Sequence, residues 1–397
     1  MAGQHLVLSP QWGTASLNTF SDTLFGHLPR ADQRRWALGY LRGLLATPGK
    51  KSIRRLAAAI SASPTASQSL QQFINTSPWD WEPAREELTR VVQGRTTPLA
   101  LTVASAFLPK RGAHSCGVHR RFVPRLGRTI NCQMGVGLFL SSGVMHLPVD
   151  WRLMLPERWS DDADLRERAR IPGTARHRPY WEHILDLLDM VSSRAGLTAV
   201  PAVVDMSECP DATLLVNGLS RRGQNFVVAV PPGLRILPLG PRPAPADAQD
   251  AQGALSVQEF LHRHGTRQTY ATVHAPGSGD VRMLSTRVRL PGSRQTHRLL
   301  AEWDPARQGA SRAWLSTLLD ERAGRIAALA HLTSGAAATV SRLEEDCGLL
   351  DFEGRSYPGW HHHMTLVSAA YTYSRLYSPA STTPAAPEAP DPLPRTA

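Results

Sequence analysis

Three β-rich runs follow one another closely in the first half of this chain, and alternating helix and strand patterns come after them. The runs are PLALTVASAF (98–107), TINCQMGVGLFLS (129–141) and VMHLPVDWRLML (144–155). Next come an amphipathic helix pattern, YWEHILDLLDMVSSRA (180–195), a buried-strand run, LTAVPAVVD (197–205), and a further strand, FVVAVP (226–231). Three strands in succession with basic loops between them, followed by alternating helix and strand, are the pattern of a mixed sheet. The order therefore predicts an α/β fold with a mixed sheet that starts antiparallel.

Around this framework the pattern is helical. RRWALGYLRGLL (34–45) places Trp36, Leu38, Leu41 and Leu44 near a 3.6-residue period, with Gly49 as a stop. KSIRRLAAAI (51–60) and ASQSLQQFI (66–74), joined by SASPT, have the form of a helix-turn-helix, with Lys50, Lys51, Arg54 and Arg55 opening the first helix. SPWDWEPAREELTRVV (77–92) reads as a Ser/Asp-capped helix. The expected division is a flexible start (1–16), a helical domain (17–95), the first part of a core (96–231), a β-rich insertion (232–310), closing helices (311–378) and a disordered Pro/Ala-rich tail (379–397).

Charge narrows the function. Forty-four Lys and Arg against 33 Asp and Glu give a net charge of +11, and residues 88–149 contain no acid at all while carrying Lys110 and seven arginines. Such a surface favours a polyanionic partner, because arginine forks onto phosphate oxygens and binding releases counterions. The four cysteines are far apart and form no CxxC pair, so neither a disulfide framework nor a zinc knuckle is expected. No apolar run approaches the ~20 residues that span a bilayer, and the first thirty residues lack a signal-peptide pattern; a cytoplasmic, nucleoid-associated protein is expected.

The segments YLRGLL (40–45), FLPKRGAHSCGVHRRF (107–122), INCQMGV (130–136), PVDWRLMLPERW (148–159), AVVDMS (202–207), RRGQNFVVAVP (221–231) and GLLDFEGRSYPGWHHHMTLVSAAY (348–371) resemble, in order, the DDE transposases of bacterial insertion sequences, in the branch with a β insertion before the last acid. The resemblance implies an RNase-H-like core, a duplex DNA partner, a homodimer, and three carboxylates holding two divalent metals for in-line displacement at phosphorus. It also implies where those acids belong. Anchored on Phe107 and Lys110, the first falls at Val103 and Ala104, followed by Ser105 and Ala106; the second falls at Asp205, although Met206, Ser207, Glu208 and Cys209 replace the usual continuation. The third, counted back from Gly348, falls at Ser341. Glu345 lies one turn further along the same face, a displacement of ~5.4 Å that metal bonds of ~2.1 Å do not absorb without rebuilding.

One acid of three cannot hold two metals. No metal site and no cofactor are therefore expected, Mg²⁺ entering only if a rearranged set of Asp205, Glu345 and a third ligand is active. Asp205 is otherwise expected to cap the next helix or pair with a basic neighbour. Consecutive residues on a helix point about 100° apart, so His361, His362 and His363 cannot all face one ion, and a phosphate or packing role is expected for them. Lys110, Arg111, Arg120, Arg121, Arg355 and His361, with the four cations of the helix-turn-helix, are the expected DNA contacts. The sequence thus points to a transposase-like, nuclease-inactive DNA-binding protein with a regulatory role. Two alternatives stay open: an active metal-dependent transposase, and a repurposed enzyme or interaction module using the vacated pocket.

Overall fold

The computed structural model describes residues 14–239, 253–264, 270–275, 279–304 and 309–377. The expected tail and most of the expected flexible start lie outside these residues, but Thr14–Ser16 already belong to the first helix. Five helices come first: α1 (Thr14–Phe25), α2 (Ala31–Ala46), α3 (Ile53–Ile60), α4 (Ala66–Asn75) and α5 (Glu82–Arg95). The last starts later than its Ser77 cap signal suggests. Trp79 is buried and stacks on Phe73 at 5.4 Å, which holds SPWDW as a loop, and the helix opens instead at Glu82-Pro83, where proline's missing N–H is no loss.

Strands β1 (Ala100–Pro109), β2 (His119–Val123), β3 (Arg128–Ser141) and β4 (His146–Leu153) follow, then helices α6 (Arg158–Asp161), α7 (Ala163–Ala169) and α8 (Tyr180–Ala195). Strand β5 (Ala202–Asp205), helix α9 (Ala212–Arg221) and strand β6 (Phe226–Ala229) complete the alternating part. β3 lies antiparallel to both β1 and β4, while β5 runs parallel to β1 and to β6. The order β4-β3-β1-β5-β6 is that of an RNase-H-like sheet with the antiparallel start the sequence predicts.

The insertion is not a separate β module. β7 (Arg235–Pro238), β8 (Leu255–Ser256), α10 (Val257–His264), β9 (Tyr270–Ala275), β10 (Gly279–Arg289), β11 (Thr296–Asp304) and β12 (Gly309–Ser316) extend the same sheet, because β12 pairs antiparallel with β6 at Trp314–Ala229. An open edge at β6 would leave a row of unpaired backbone groups, and β12 satisfies them. The closing helices accordingly start at residue 323 rather than 311.

Those helices are α11 (Ala323–Glu345) and α12 (Tyr357–Tyr377). α11 runs unbroken through SGAAA (334–338), a stretch without an apolar period. Gly335 explains the break in pattern: a Cβ there would stand 1.9 Å from His146 Nε2, so the helix lies directly against β4 only without one. Every residue of α12 from Gly359 to Tyr373 is buried, with β4 on one side and α2, α4 and α5 on others. A helix apolar or satisfied all round marks the centre of a fold, and here it joins the N-terminal helices to the sheet. No described helix is long and apolar enough to cross a membrane.

Candidate functional site

Alternation along β1 assigns its side chains to two faces. Ala100, Val203, Val227 and Ala229 pack with Ile326 and Ala327 of α11, so Ala104 and Asp205 lie on the α11 face. Leu101 pairs with Ala202 and Thr102 with Val203; continued by two residues, that register sets Ala104 level with Asp205. The sequence-expected positions of the first and second acids are therefore neighbours across adjacent strands.

What surrounds them is not a metal-binding set. Ala104 offers a methyl group and is 8 % exposed. Its cross-strand partner is Gly137, where a Cβ would come within 2.6 Å of the Trp151 ring; that buried indole donates to Ser368 Oγ on α12 at 2.8 Å. Asp205 Oδ1 accepts from the Ser207 amide at 3.0 Å and from Ser207 Oγ at 2.6 Å, and Oδ2 faces Arg312 Nη2 on β12 at 3.3 Å. Both oxygens are thus engaged by donors in an Asx-type turn and an ion pair with a basic neighbour, while the residue that precedes α9 is Asp211.

The expected third-acid position falls on α11. Ser341 is half-buried on α11 and Glu345 is exposed at its end. Glu344 is forked by Arg125 at 2.7 and 2.8 Å; burial raises its pKa while Arg125 opposes the rise. Among the described residues no three His, Cys, Asp or Glu side chains are placed to share a metal ion. Divalent magnesium needs hard oxygen donors converging within ~2.1 Å, and the residues present do not fit it. Ser105 turns to the opposite face, where its hydroxyl meets Tyr180 Oη at 3.2 Å and burial pushes the phenol up to about 12.

The basic residues divide into two groups. Lys50, Arg54, Arg55, Arg111, Arg120 and Arg355 are exposed, and Arg121 is half-buried beside Tyr180 and Cys209. Three others are corrected by the structure. Lys51 is 5 % exposed, with Nζ donating to the Thr47 carbonyl and its backbone amide to Asp351 Oδ2 at 2.7 Å, so it closes a loop instead of reaching a phosphate. Lys110 turns inward to the Phe352 carbonyl at 2.5 Å, and burial lowers its pKa to about 8. His361 is 1 % exposed and cannot touch DNA.

The three histidines each hold a different N-terminal helix. His363 Nδ1 meets Tyr40 Oη of α2 at 3.0 Å and Nε2 meets the Gly348 carbonyl at 3.1 Å. His362 stacks on Trp79 at 3.9 Å and reaches the Ile74 and Trp79 carbonyls beside α4. His361 accepts from Arg85 of α5 at 3.1 Å. Arg85 also donates to Asp150 at 2.7 Å and to the Trp151 carbonyl at 2.9 Å, while Arg152 joins Asp150 at 3.0 Å. This buried network was missed from sequence, although its signal was there: Arg85 occupies the apolar stripe of α5 with Leu88 and Val92.

With the geometry in place, comparison with known proteins is direct. A family model described as DDE superfamily endonuclease matches residues 23–296. No curated protein matches the chain.

Proposed function

The chain belongs to the DDE superfamily endonucleases, and we propose that it has kept their hold on DNA while losing strand cleavage, acting as a sequence-specific DNA-binding protein with a regulatory role. One observation carries the loss: an alanine methyl stands beside Asp205 where a second carboxylate is required, and both Asp205 oxygens already serve Ser207 and Arg312. Two-metal cleavage needs at least two carboxylates bridging or flanking the ions, and among the described residues no three His, Cys, Asp or Glu side chains converge there.

Retention of DNA binding rests on the exposed cations and the net charge of +11. Replacing an aspartate by alanine also removes carboxylate–phosphate repulsion at the centre of the site. The test pairs two assays on the purified full chain. Duplex binding should survive EDTA and weaken steeply with salt, and supercoiled plasmid should stay intact with Mg²⁺ or Mn²⁺. Nicking that disappears in Asp205→Ala would establish the active-transposase alternative instead. Undiminished binding at several hundred millimolar salt would count against a phosphate-holding surface, and footprinting across the genome would separate promoter-proximal sites from none.

A further inference from the structure

α4 carries a row of amides on the side it turns away from the protein. Its apolar residues Ala66, Leu70, Phe73 and Ile74 are buried against α2, α3 and α12. Gln68, Gln71 and Gln72, spaced i, i+3 and i+4, are exposed on the opposite side and form one stripe. Their amide groups have no partner within the described protein. A helix face kept only for solubility is better served by Glu–Lys pairs, yet α4 contains no charged residue.

The elements around α4 are basic. From Gln33 to Trp79 the chain has no Asp or Glu, while it carries Arg34, Arg35, Arg42, Lys50, Lys51, Arg54 and Arg55. Lys50, Arg54 and Arg55 are exposed at the start of α3. Arg35 and Arg42 of α2 line an open groove with the hydroxyl residues Ser61, Ser63, Thr65 and Ser69, in and just before the first turn of α4. Uncharged amides on a helix whose neighbouring elements carry exposed cations match a duplex, whose groove floor presents neutral donors and acceptors between two rows of phosphates.

We propose that α4 enters the major groove and that Gln68, Gln71 and Gln72 read adenines, each amide oxygen accepting from N6–H and each amide N–H donating to N7. The exposed α2 and α3 cations hold the phosphates. A helix about 10–12 Å across fits the roughly 12 Å groove. Gln68 and Gln72 stand about 6 Å apart along the axis, roughly two base steps, so the motif is short and contains closely spaced adenines. This assignment rests on the DNA-binding reading above.

Selection of the full chain against a random duplex library tests it, alongside the triple variant Gln68→Ala/Gln71→Ala/Gln72→Ala and the double variant Arg54→Ala/Arg55→Ala. Wild type should enrich an adenine-containing motif, and 7-deazaadenine, which lacks the N7 acceptor, should weaken it. The triple variant should lose about tenfold or more in discrimination between motif and random duplex, with its circular dichroism unchanged because the three side chains touch nothing inside. The arginine pair should weaken both duplexes alike and flatten the salt dependence. An unaltered motif in the triple variant, or full binding to the 7-deazaadenine duplex, overturns the assignment of α4 while leaving DNA binding intact. Absence of any duplex binding by wild type overturns both.

Discussion

His363 shows how a residue that suggests chemistry in the sequence becomes a strut. Its neutral ring accepts from Tyr40 and donates to the Gly348 carbonyl, and burial lowers its pKa from 6.5 to about 4. Between those values the unfolded chain binds a proton that the folded chain refuses. Stability from this group is therefore complete above about pH 6.5 and is lost as pH falls toward 4, with a slope of up to about 1.4 kcal/mol per pH unit. His363→Gln preserves one acceptor and one donor but cannot titrate; urea unfolding between pH 4 and 6.5 should be less steep in this variant by close to one proton. An unchanged slope would mean that His363 is already protonated when folded. Asp150 belongs to the same scale. Its removal in Asp150→Ala leaves Arg85 buried without its carboxylate, and should cost about 3–5 kcal/mol in urea unfolding, far above the value of an exposed pair. Residue roles were the least legible part of the sequence: the Lys51 and Lys110 cations look alike there to Arg54 and Arg111, and only their neighbours decide which turn inward.

Secondary-structure elements were more legible, since periodicity carries their type. The helix 180–195 and the strands about β1, β3 and β4 stand where the pattern puts them, because their apolar spacing is also their packing. The pattern failed where tertiary contact replaced local preference. Gly335 and its small neighbours look like a break in a helix, yet they are the surface by which α11 approaches His146. The inserted strands show no signal for which edge they join, since pairing partners are a property of the sheet and not of a window of sequence. Gly137 makes a related prediction. Gly137→Ala forces a methyl against the Trp151 ring beside the first-acid position, and should destabilise the protein by about 1–3 kcal/mol through overpacking. A fully native unfolding midpoint would show that the indole can move aside, and with it that the space next to Ala104 is not fixed.

For the whole molecule, the N-terminal helices and the sheet are separate in sequence order but not in packing. α12 contacts α2, α4 and α5 as well as β4, and Ser16 meets Tyr373 at 2.6 Å across 357 residues. A single cooperative unfolding transition is expected by both circular dichroism and tryptophan fluorescence, and residues 14–95 expressed alone should lack it; two separated transitions would show an independently stable helical unit. The amide row on α4 is then presented by a rigid body, which favours recognition without a cost of ordering. The burial of α12 on all sides also has a consequence for synthesis. α12 is made after the helices it holds: a ribosome-bound chain stopped near residue 355 would carry α4 without the surface that positions it. An ordered α4 surface should therefore appear only once residues 357–377 have been made and packed.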